Sequence, residues 1–157
     1  MPRIFIAALL GALVLAGAYV SVVFADQVYH TERLEFSLTA AGATDSHPEL
    51  RHGHVVNIHP NGPLNGALER YMINGAKPDT SYDVVLDVLS GGCGGGPLFT
   101  VTTTTLHTNG AGNAHDQGFF APEDLAPLSG ATVGAQWTLR ADGVDAYQTR
   151  CTIVNID

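Results

Sequence analysis

The amino-acid sequence predicts an all-β protein, an antiparallel β-sandwich of about seven or eight short strands. Beyond the first 25 residues, hydrophobic side chains come in short runs that alternate with polar ones, the period-2 pattern of strands buried on one face. Clusters of Gly, Asn, Pro and Asp separate these runs at intervals of about 8 to 12 residues, a spacing typical of a sandwich. No window shows a sustained apolar stripe with the period of an amphipathic helix.

The N-terminal segment has the layout of a signal peptide. Arg3 precedes an uncharged apolar run from Ile4 to Val23, and Val23 and Ala25 supply the small side chains that a signal peptidase reads, so we expect cleavage after Ala25. A helical run of about 20 apolar residues is also long enough to cross a membrane, so an uncleaved N-terminal anchor helix is the alternative. Under either interpretation residues 26–157 form a single domain that is secreted or lies at the extracytoplasmic cell surface.

The charge of the domain narrows the class of partner. One of the seven basic residues, Arg3, lies in the leader, so residues 26–157 keep six basic side chains against fifteen acidic ones, a formal net charge of −9. Nucleic acids and anionic membranes both favour basic surfaces, so we expect neither as a partner, with membrane contact only through an uncleaved leader. Two explanations account equally well for the negative charge: it keeps an exported protein soluble, or it serves a specific cation-binding role.

The two cysteines of the chain, Cys93 and Cys151, are expected to form a disulfide, because an exported chain meets an oxidising environment. Closing a loop of this length stabilises the fold by about 4 kcal/mol in the chain-entropy treatment. A metal or redox site is the alternative, but the close C-x-x-C spacing that such a site normally uses is missing. The surrounding tract Gly91–Gly96 indicates a tight backbone path for the disulfide or, alternatively, a mobile loop that shapes a ligand site.

The sequence of the first half of the domain predicts three strands. Leu34, Phe36 and Leu38 alternate with polar residues, and a loop with Gly42, Asp45 and Pro48 follows. The other two predicted strands, His54–Ile58 and Ala67–Ile73, flank a turn signal at Pro60–Pro63.

The second half continues the pattern. Asn109–Asn113 indicates a hairpin connection, and Pro122–Leu128 a single helical turn in a crossover. The predicted strands are Ser81–Leu89, Phe99–Leu106, the hairpin return Gln117–Phe120, Thr132–Arg140 and Tyr147–Ile156. The core near the disulfide is predicted to contain Trp137, Tyr147 and Ile153.

Three segments carry a family resemblance. They are the hairpin Leu106–Asn113 (LHTNGAGN), the segment Asn74–Leu86 (NGAKPDTSYDVVL) and the closing AYQTRC. With them, most of residues 67–157 resembles small exported bacterial proteins of uncharacterised function with an immunoglobulin-like or prealbumin-like β-sandwich. The resemblance implies an immunoglobulin-like antiparallel sandwich here. Its motifs are turns and strands without catalytic residues, and it does not extend to the histidines of the N-terminal half.

Histidines are the best candidates for chemistry, because RHGHVVNIHP places three of the seven within ten residues. On a regular strand His52 and His54 share a face with Val56 and Ile58, whereas His59 lies on the other face. Two imidazoles at i and i+2 make half of a zinc or copper site. Further ligands are expected from His47, His107, His115 or Asp116. The alternative is that Val56 and Ile58 mark the buried face and His54 is an ordinary residue at the rim of the core.

No catalytic residues are predicted. The sequence contains no G-x-S-x-G, H-E-x-x-H or calcium-loop motif, and its adjacent carboxylates are typical of solvated faces. Exposed aromatic side chains offer another binding surface, since Tyr71, Phe119 and Phe120 lie near predicted strand ends and the adjacent phenylalanines cannot both face the core of a flat strand. A bulge that buries both phenylalanines is the alternative.

The expectation is therefore an exported, non-enzymatic β-sandwich module that binds an extracellular ligand or protein through loops or an open sheet edge. It needs no cofactor. One alternative is an envelope protein that binds zinc or copper through the His-x-His pair. Another is a structural subunit that self-assembles by pairing its sheet edges.

Overall fold

A computed structural model describes residues 29–60 and 66–156 of the chain. The predicted leader, residues 1–25, lies outside these ranges, as does most of the predicted turn Pro60–Pro63. Among the described residues no helix has the length and apolar character needed to cross a membrane.

The described chain is built mainly from antiparallel strands, with short helical segments at two connections. The strands are β1 (Tyr29–Leu38), β2 (His52–Pro60), β3 (Ala67–Asn74), β4 (Ser81–Ser90), β5 (Pro97–His107), β6 (Ala114–Phe120), β7 (Thr132–Ala141), β8 (Val144–Thr149) and β9 (Thr152–Asn155). Helix α1 (Ala40–Thr44) follows β1, and α2 (Pro122–Leu125) continues into a 3-10 turn over Ala126–Leu128. The all-β, antiparallel prediction is confirmed.

The strands form one curled sheet with the order β5-β4-β7-β8-β1-β2-β3-β6, and β9 pairs with β7 beyond the end of β8. Strand β1 joins the two halves of the sheet, because residues up to Glu35 pair with β2 and Phe36–Leu38 pair with β8. The curl brings the two end strands, β5 and β6, close to each other. The sheet is therefore nearly closed, like a barrel with one open seam.

The strands on the two sides of the seam, β5 and β6, do not form the hairpin that the sequence predicts. The connection around Asn109 is a turn as predicted, with the Asn109 side chain accepting hydrogen bonds from the backbone of Ala111 and Asn113. However, no backbone ladder joins β5 to β6 within the described residues. Each strand pairs away from the other, β5 with β4 and β6 with β3, so the turn links opposite ends of the sheet.

Two further segments differ from the predictions. The last predicted strand is interrupted at Arg150 and Cys151, because its two parts pair with separate stretches of β7. The predicted loop after β1 contains α1, whose N-cap Thr39 accepts a hydrogen bond from the Gly42 amide. A Cβ atom at Gly42 would lie 2.3 Å from the Ala146 carbonyl oxygen, so only glycine allows this close approach to β8.

The core fills the inside of the curled sheet. Trp137 and Tyr147 are buried as predicted. The prediction for Ile153 is wrong, since its side chain is 55% exposed. Strand β9 turns Val154 inward instead, and a one-residue change of phase moves a side chain to the other face of a strand.

The predicted disulfide between Cys93 and Cys151 is confirmed. It ties the turn between β4 and β5 to the break between β8 and β9. Gly95 serves the tight path of this turn, because a Cβ atom there would lie 1.6 Å from the Ser90 carbonyl oxygen.

Candidate functional site

Strand β3 places a carboxyl group inside the curled sheet. Its side chains alternate between the two faces, so Ala67, Glu69, Tyr71 and Ile73 are buried whereas Arg70 and Met72 are exposed. Glu69 is only 2% exposed. A buried carboxyl group requires hydrogen-bond partners, because leaving a polar group unsatisfied in the interior is costly.

Glu69 has two such partners. The Tyr71 hydroxyl donates to Oε2, and the Trp137 indole Nε1 donates to Oε1 at 3.0 Å. On its far side the Tyr71 hydroxyl lies 2.7 Å from the Thr103 hydroxyl of β5. Burial nevertheless dominates and raises the pKa of Glu69 to about 7, against the lowering effect of both hydrogen bonds.

Asn57 lies directly beside Glu69 on the neighbouring strand, β2. Its side chain is 5% exposed, and its Oδ1 atom accepts no hydrogen bond from the described part of the chain. Asn57 and Glu69 both line an interior pocket with a cavity volume of about 50 Å³. One water needs about 10 to 15 Å³ of such space, so the pocket has room for several heavy atoms.

The other walls of the pocket are mostly apolar. Strands β4 and β7 contribute Leu86, Val88, Val133, Ala135 and Trp137, the other strands His59, Ala67, Phe99, Phe120 and Val154, and the remaining residues are Leu125, Leu128 and Ile156. Apolar walls with a few convergent polar groups and a perturbed pKa are typical of a binding site.

A larger cleft of about 350 Å³ lies at the seam between β5 and β6. Its lining comprises Phe99, Val101, Thr102, Thr103, Phe119, Phe120, Asp124 and Leu125. Three of these residues, Phe99, Phe120 and Leu125, also line the interior pocket. The cleft and the pocket are therefore neighbours that share part of their walls.

Side chains close the seam at its other end. Thr104 of β5 donates a hydrogen bond to the carboxylate of Asp116 on β6, and this bond is the main reason why the pKa of Asp116 is lowered. Gly118 lies against Thr103, where a Cβ atom would be 3.3 Å from the threonine Cβ. The strands thus meet near their connecting turn and leave the cleft at the opposite end.

The cleft is bordered by exposed hydrophobic side chains. Of its lining residues, Phe119 is 69% exposed and Phe99 is also exposed. Of the aromatic residues proposed from the sequence, Phe119 faces solvent and Phe120 is half-buried against the pocket. The expectation that Tyr71 is exposed is wrong, because its ring points into the core beside Glu69.

His52 and His54 of β2 lie on the outer surface of the sheet. His52 and His54 share a face with Val56 and Ile58 as predicted, but the interpretation of this face as the buried one is wrong. Gly53, Val55 and Asn57 are the buried residues of β2, because the curl of the sheet encloses the opposite face. Burial is the main cause of a lowered pKa for His54, which is half-buried among its neighbours.

The other candidate ligands are spread over the molecule. His47 is buried in the core, where its Nδ1 atom lies 2.9 Å from the Tyr82 hydroxyl and its Nε2 atom 3.2 Å from the Asp45 carboxylate. His107 forms a 2.9 Å hydrogen bond with Ser81. His115 reaches the same row as His54, with Met72 between them. The described residues contain no group of three His, Cys, Asp or Glu side chains able to hold a metal ion.

The polar pair of the pocket, Asn57 and Glu69, was missed in the sequence. The only sequence signal for a buried Glu69 is its alternation with Ala67, Tyr71 and Ile73 on one face of the predicted strand. That face is mixed, with two aliphatic residues, an aromatic residue and an acid. The opposite face, with Leu68 and Met72 around Arg70, is about equally apolar.

Comparison with protein-family models, curated proteins and solved structures finds no match to this chain.

Proposed function

We propose that this protein is an exported, non-enzymatic β-module that binds a small, mainly apolar ligand outside the cytoplasm. The ligand occupies the cleft between β5 and β6 and extends into the interior pocket. The observation that carries this proposal is that the two spaces adjoin and share three lining residues, Phe99, Phe120 and Leu125. Secretion or display at the cell surface is part of the proposal and is supported by the leader-like N-terminal sequence and by the disulfide.

The immunoglobulin-like character of the fold and the kinship with small exported bacterial sandwiches also belong to the proposal. They are supported by the sequence motifs named above and by the antiparallel sheet. Binding rather than assembly is favoured by the shape of the seam. A cleft of about 350 Å³ is comparable with ligand pockets, which measure about 300 to 1,000 Å³.

Trp137, the single tryptophan of the chain, lines the interior pocket and provides a built-in fluorescent reporter. The test uses the neutral apolar dye N-phenyl-1-naphthylamine. Its binding is monitored by the emission of the dye and by quenching of Trp137 fluorescence. We expect saturable binding to the purified protein. The Ala135→Val variant, which adds two methyl groups to the pocket wall, should weaken dye binding at least tenfold.

The exposed Ala111 in the turn between β5 and β6 provides the matched control, and Ala111→Val should bind the dye like the unmodified protein. Absence of saturable binding, or equal binding by the Ala135→Val variant, would refute the proposed site.

Metal binding is a second candidate function, favoured by one observation. The strand register aligns His54, Met72 and His115 in a single row on the outer face of the sheet, and imidazole with thioether ligands suits copper. Calorimetric titration of the protein with copper and with zinc tests it. Binding at one equivalent that is lost in His54→Ala and kept in His107→Ala would support this function, whereas identical titrations of the two variants would exclude it.

A further inference from the structure

We propose that the interior pocket selects an apolar primary amine, with Asn57 and Glu69 accepting hydrogen bonds from its ammonium group. This inference rests on the proposed binding function and specifies the chemistry of the ligand. It is carried by an unpartnered, buried amide oxygen beside a buried carboxyl group, both of which line the same cavity.

Both groups have acceptor capacity left for a ligand. Asn57 Oδ1 receives no hydrogen bond from the described residues, although the side chain is almost completely buried. Each Glu69 oxygen receives one hydrogen bond, from Tyr71 or from Trp137, and a carboxylate has about four acceptor positions in total. An ammonium group has three N–H donors and no acceptor, which matches this set.

The charge of the site favours a cation over an alcohol or an acid. Neither Lys nor Arg is among the described residues that line the pocket or the cleft, so ionised Glu69 faces no lysine or arginine side chain in these walls. Buried charges are normally paired, and a bound ammonium group supplies the pair. Asp124 adds a second acidic side chain at the outer cleft. Among the described residues that line the pocket, His59 is the one whose side chain can carry a positive charge.

The remaining walls suit the body of such a ligand. Trp137, Phe99 and Phe120 present aromatic rings to the pocket, and aromatic faces attract ammonium groups. The cavity of about 50 Å³ accommodates the ammonium end with the atoms next to it, and the adjoining cleft of about 350 Å³ accommodates an aliphatic or aromatic remainder.

The test compares three probes of equal length, n-hexylamine, n-hexanol and n-hexanoate, by calorimetry and Trp137 quenching at pH 8. We expect hexylamine to bind at least tenfold more tightly than hexanol, and hexanoate to bind most weakly. Glu69→Gln keeps the shape of the side chain and removes its charge, so it should abolish the preference for hexylamine while leaving hexanol affinity within about twofold.

Asn57→Leu removes the free acceptor at nearly constant size and should weaken hexylamine binding several-fold, which provides a second variant if Glu69→Gln does not fold. Glu123→Gln removes a charge from the exposed surface of α2 and is the matched control, with no expected change.

Equal affinities for the three probes, or an unchanged preference in both pocket variants, would overturn the amine assignment. The same holds if an ordered water alone satisfies Asn57 and hexylamine does not displace it. In these cases continued binding of hexanol and of the naphthylamine dye leaves the proposed function intact. Loss of all binding in the unmodified protein would refute both.

Discussion

Replacing Glu69 with glutamine should change how the stability of the protein depends on pH. Burial raises the pKa of Glu69 from 4.5 to about 7 in the folded protein. One pKa unit corresponds to about 1.4 kcal/mol, so ionising this buried carboxyl group disfavours the folded state by about 3 kcal/mol. Glutamine cannot ionise and therefore removes this contribution at every pH.

The sign follows from the protons bound in each state. Below pH 4.5 the carboxyl group is protonated in both the folded and the unfolded chain, so it contributes no pH dependence. Between pH 4.5 and 7 the unfolded chain has lost the proton while the folded protein retains it, and the free energy of unfolding falls as pH rises. Above pH 7 both states are ionised, and the full loss of about 3 kcal/mol persists.

Glutamine should fit the hydrogen bonds of the protonated acid. Its Oε1 atom can accept from Trp137, and its amide can donate to the Tyr71 oxygen while the Tyr71 hydroxyl donates to Thr103. We therefore expect the variant to have nearly the same stability as the unmodified protein at pH 4. At pH 8 the variant should be more stable by about 3 kcal/mol.

Urea unfolding with the disulfide intact, followed by Trp137 fluorescence between pH 4 and pH 8.5, measures this difference. The difference between the two proteins cancels groups that titrate equally in both, and Glu123→Gln on the surface is the control for loss of one negative charge. A difference that stays constant with pH, or that favours the unmodified protein at pH 8, would refute the argument that Glu69 is buried without a compensating positive charge.

Three further sets of variants test the fold and the exposed surface of the seam. Removing the disulfide with the double variant Cys93→Ser and Cys151→Ser should lower the free energy of unfolding by about 4 kcal/mol in urea titrations. An unchanged unfolding midpoint would show that the disulfide does not stabilise the fold by constraining the unfolded chain. Gly42→Ala should destabilise by about 1 to 3 kcal/mol in the same assay, because the new methyl group meets the Ala146 carbonyl, whereas Gly94→Ala meets nothing and should be neutral. Phe119→Ser should leave thermal stability within about 0.5 kcal/mol, since the ring is exposed, but should reduce retention on a phenyl column. Retention equal to that of the unmodified protein would show that Phe119 is not the accessible apolar surface of the seam.

The strands and the disulfide were predictable because their signals are local or compositional. Strand β4 is an example, since Tyr82, Val84, Leu86 and Val88 alternate in the printed sequence and all four are buried. A pair of cysteines in a chain with an export-like leader leaves one intramolecular pairing. Neither inference requires knowledge of the strand order.

The seam could not be predicted, because it depends on long-range pairing. The turn at Asn109 has hairpin chemistry, and the sequence alone predicts that the flanking strands pair with each other. In the folded chain β4 and β3 take these strands as partners instead. Closure is then left to side chains such as Thr104 and Asp116, and the cleft is the part of the seam that they do not close.

The wrong face of β2 and the missed carboxyl group of β3 have a common origin. On each strand the two faces are similarly apolar, and a one-residue change of phase exchanges them. The strands are neighbours in the sheet and pair Asn57 with Glu69, so the curl that encloses one of these residues also encloses the other. These two strands consequently place two polar side chains in the interior, while Val56, Ile58 and Leu68 remain half-buried on the outside.

Burying Glu69 lowers the stability of the folded protein at pH 8, since the ionised carboxylate loses its contact with water. The expected gain in stability of Glu69→Gln at pH 8 measures part of that cost. Natural sequences tend to depart from local consistency where a functional site requires it. A purely structural core would not place polar side chains such as Asn57 and Glu69 on two adjacent strands. These side chains line the cavity that adjoins the open seam. The coincidence of the buried polar pair, the cavity and the seam is the physical reason for the proposal that this part of the molecule binds a ligand.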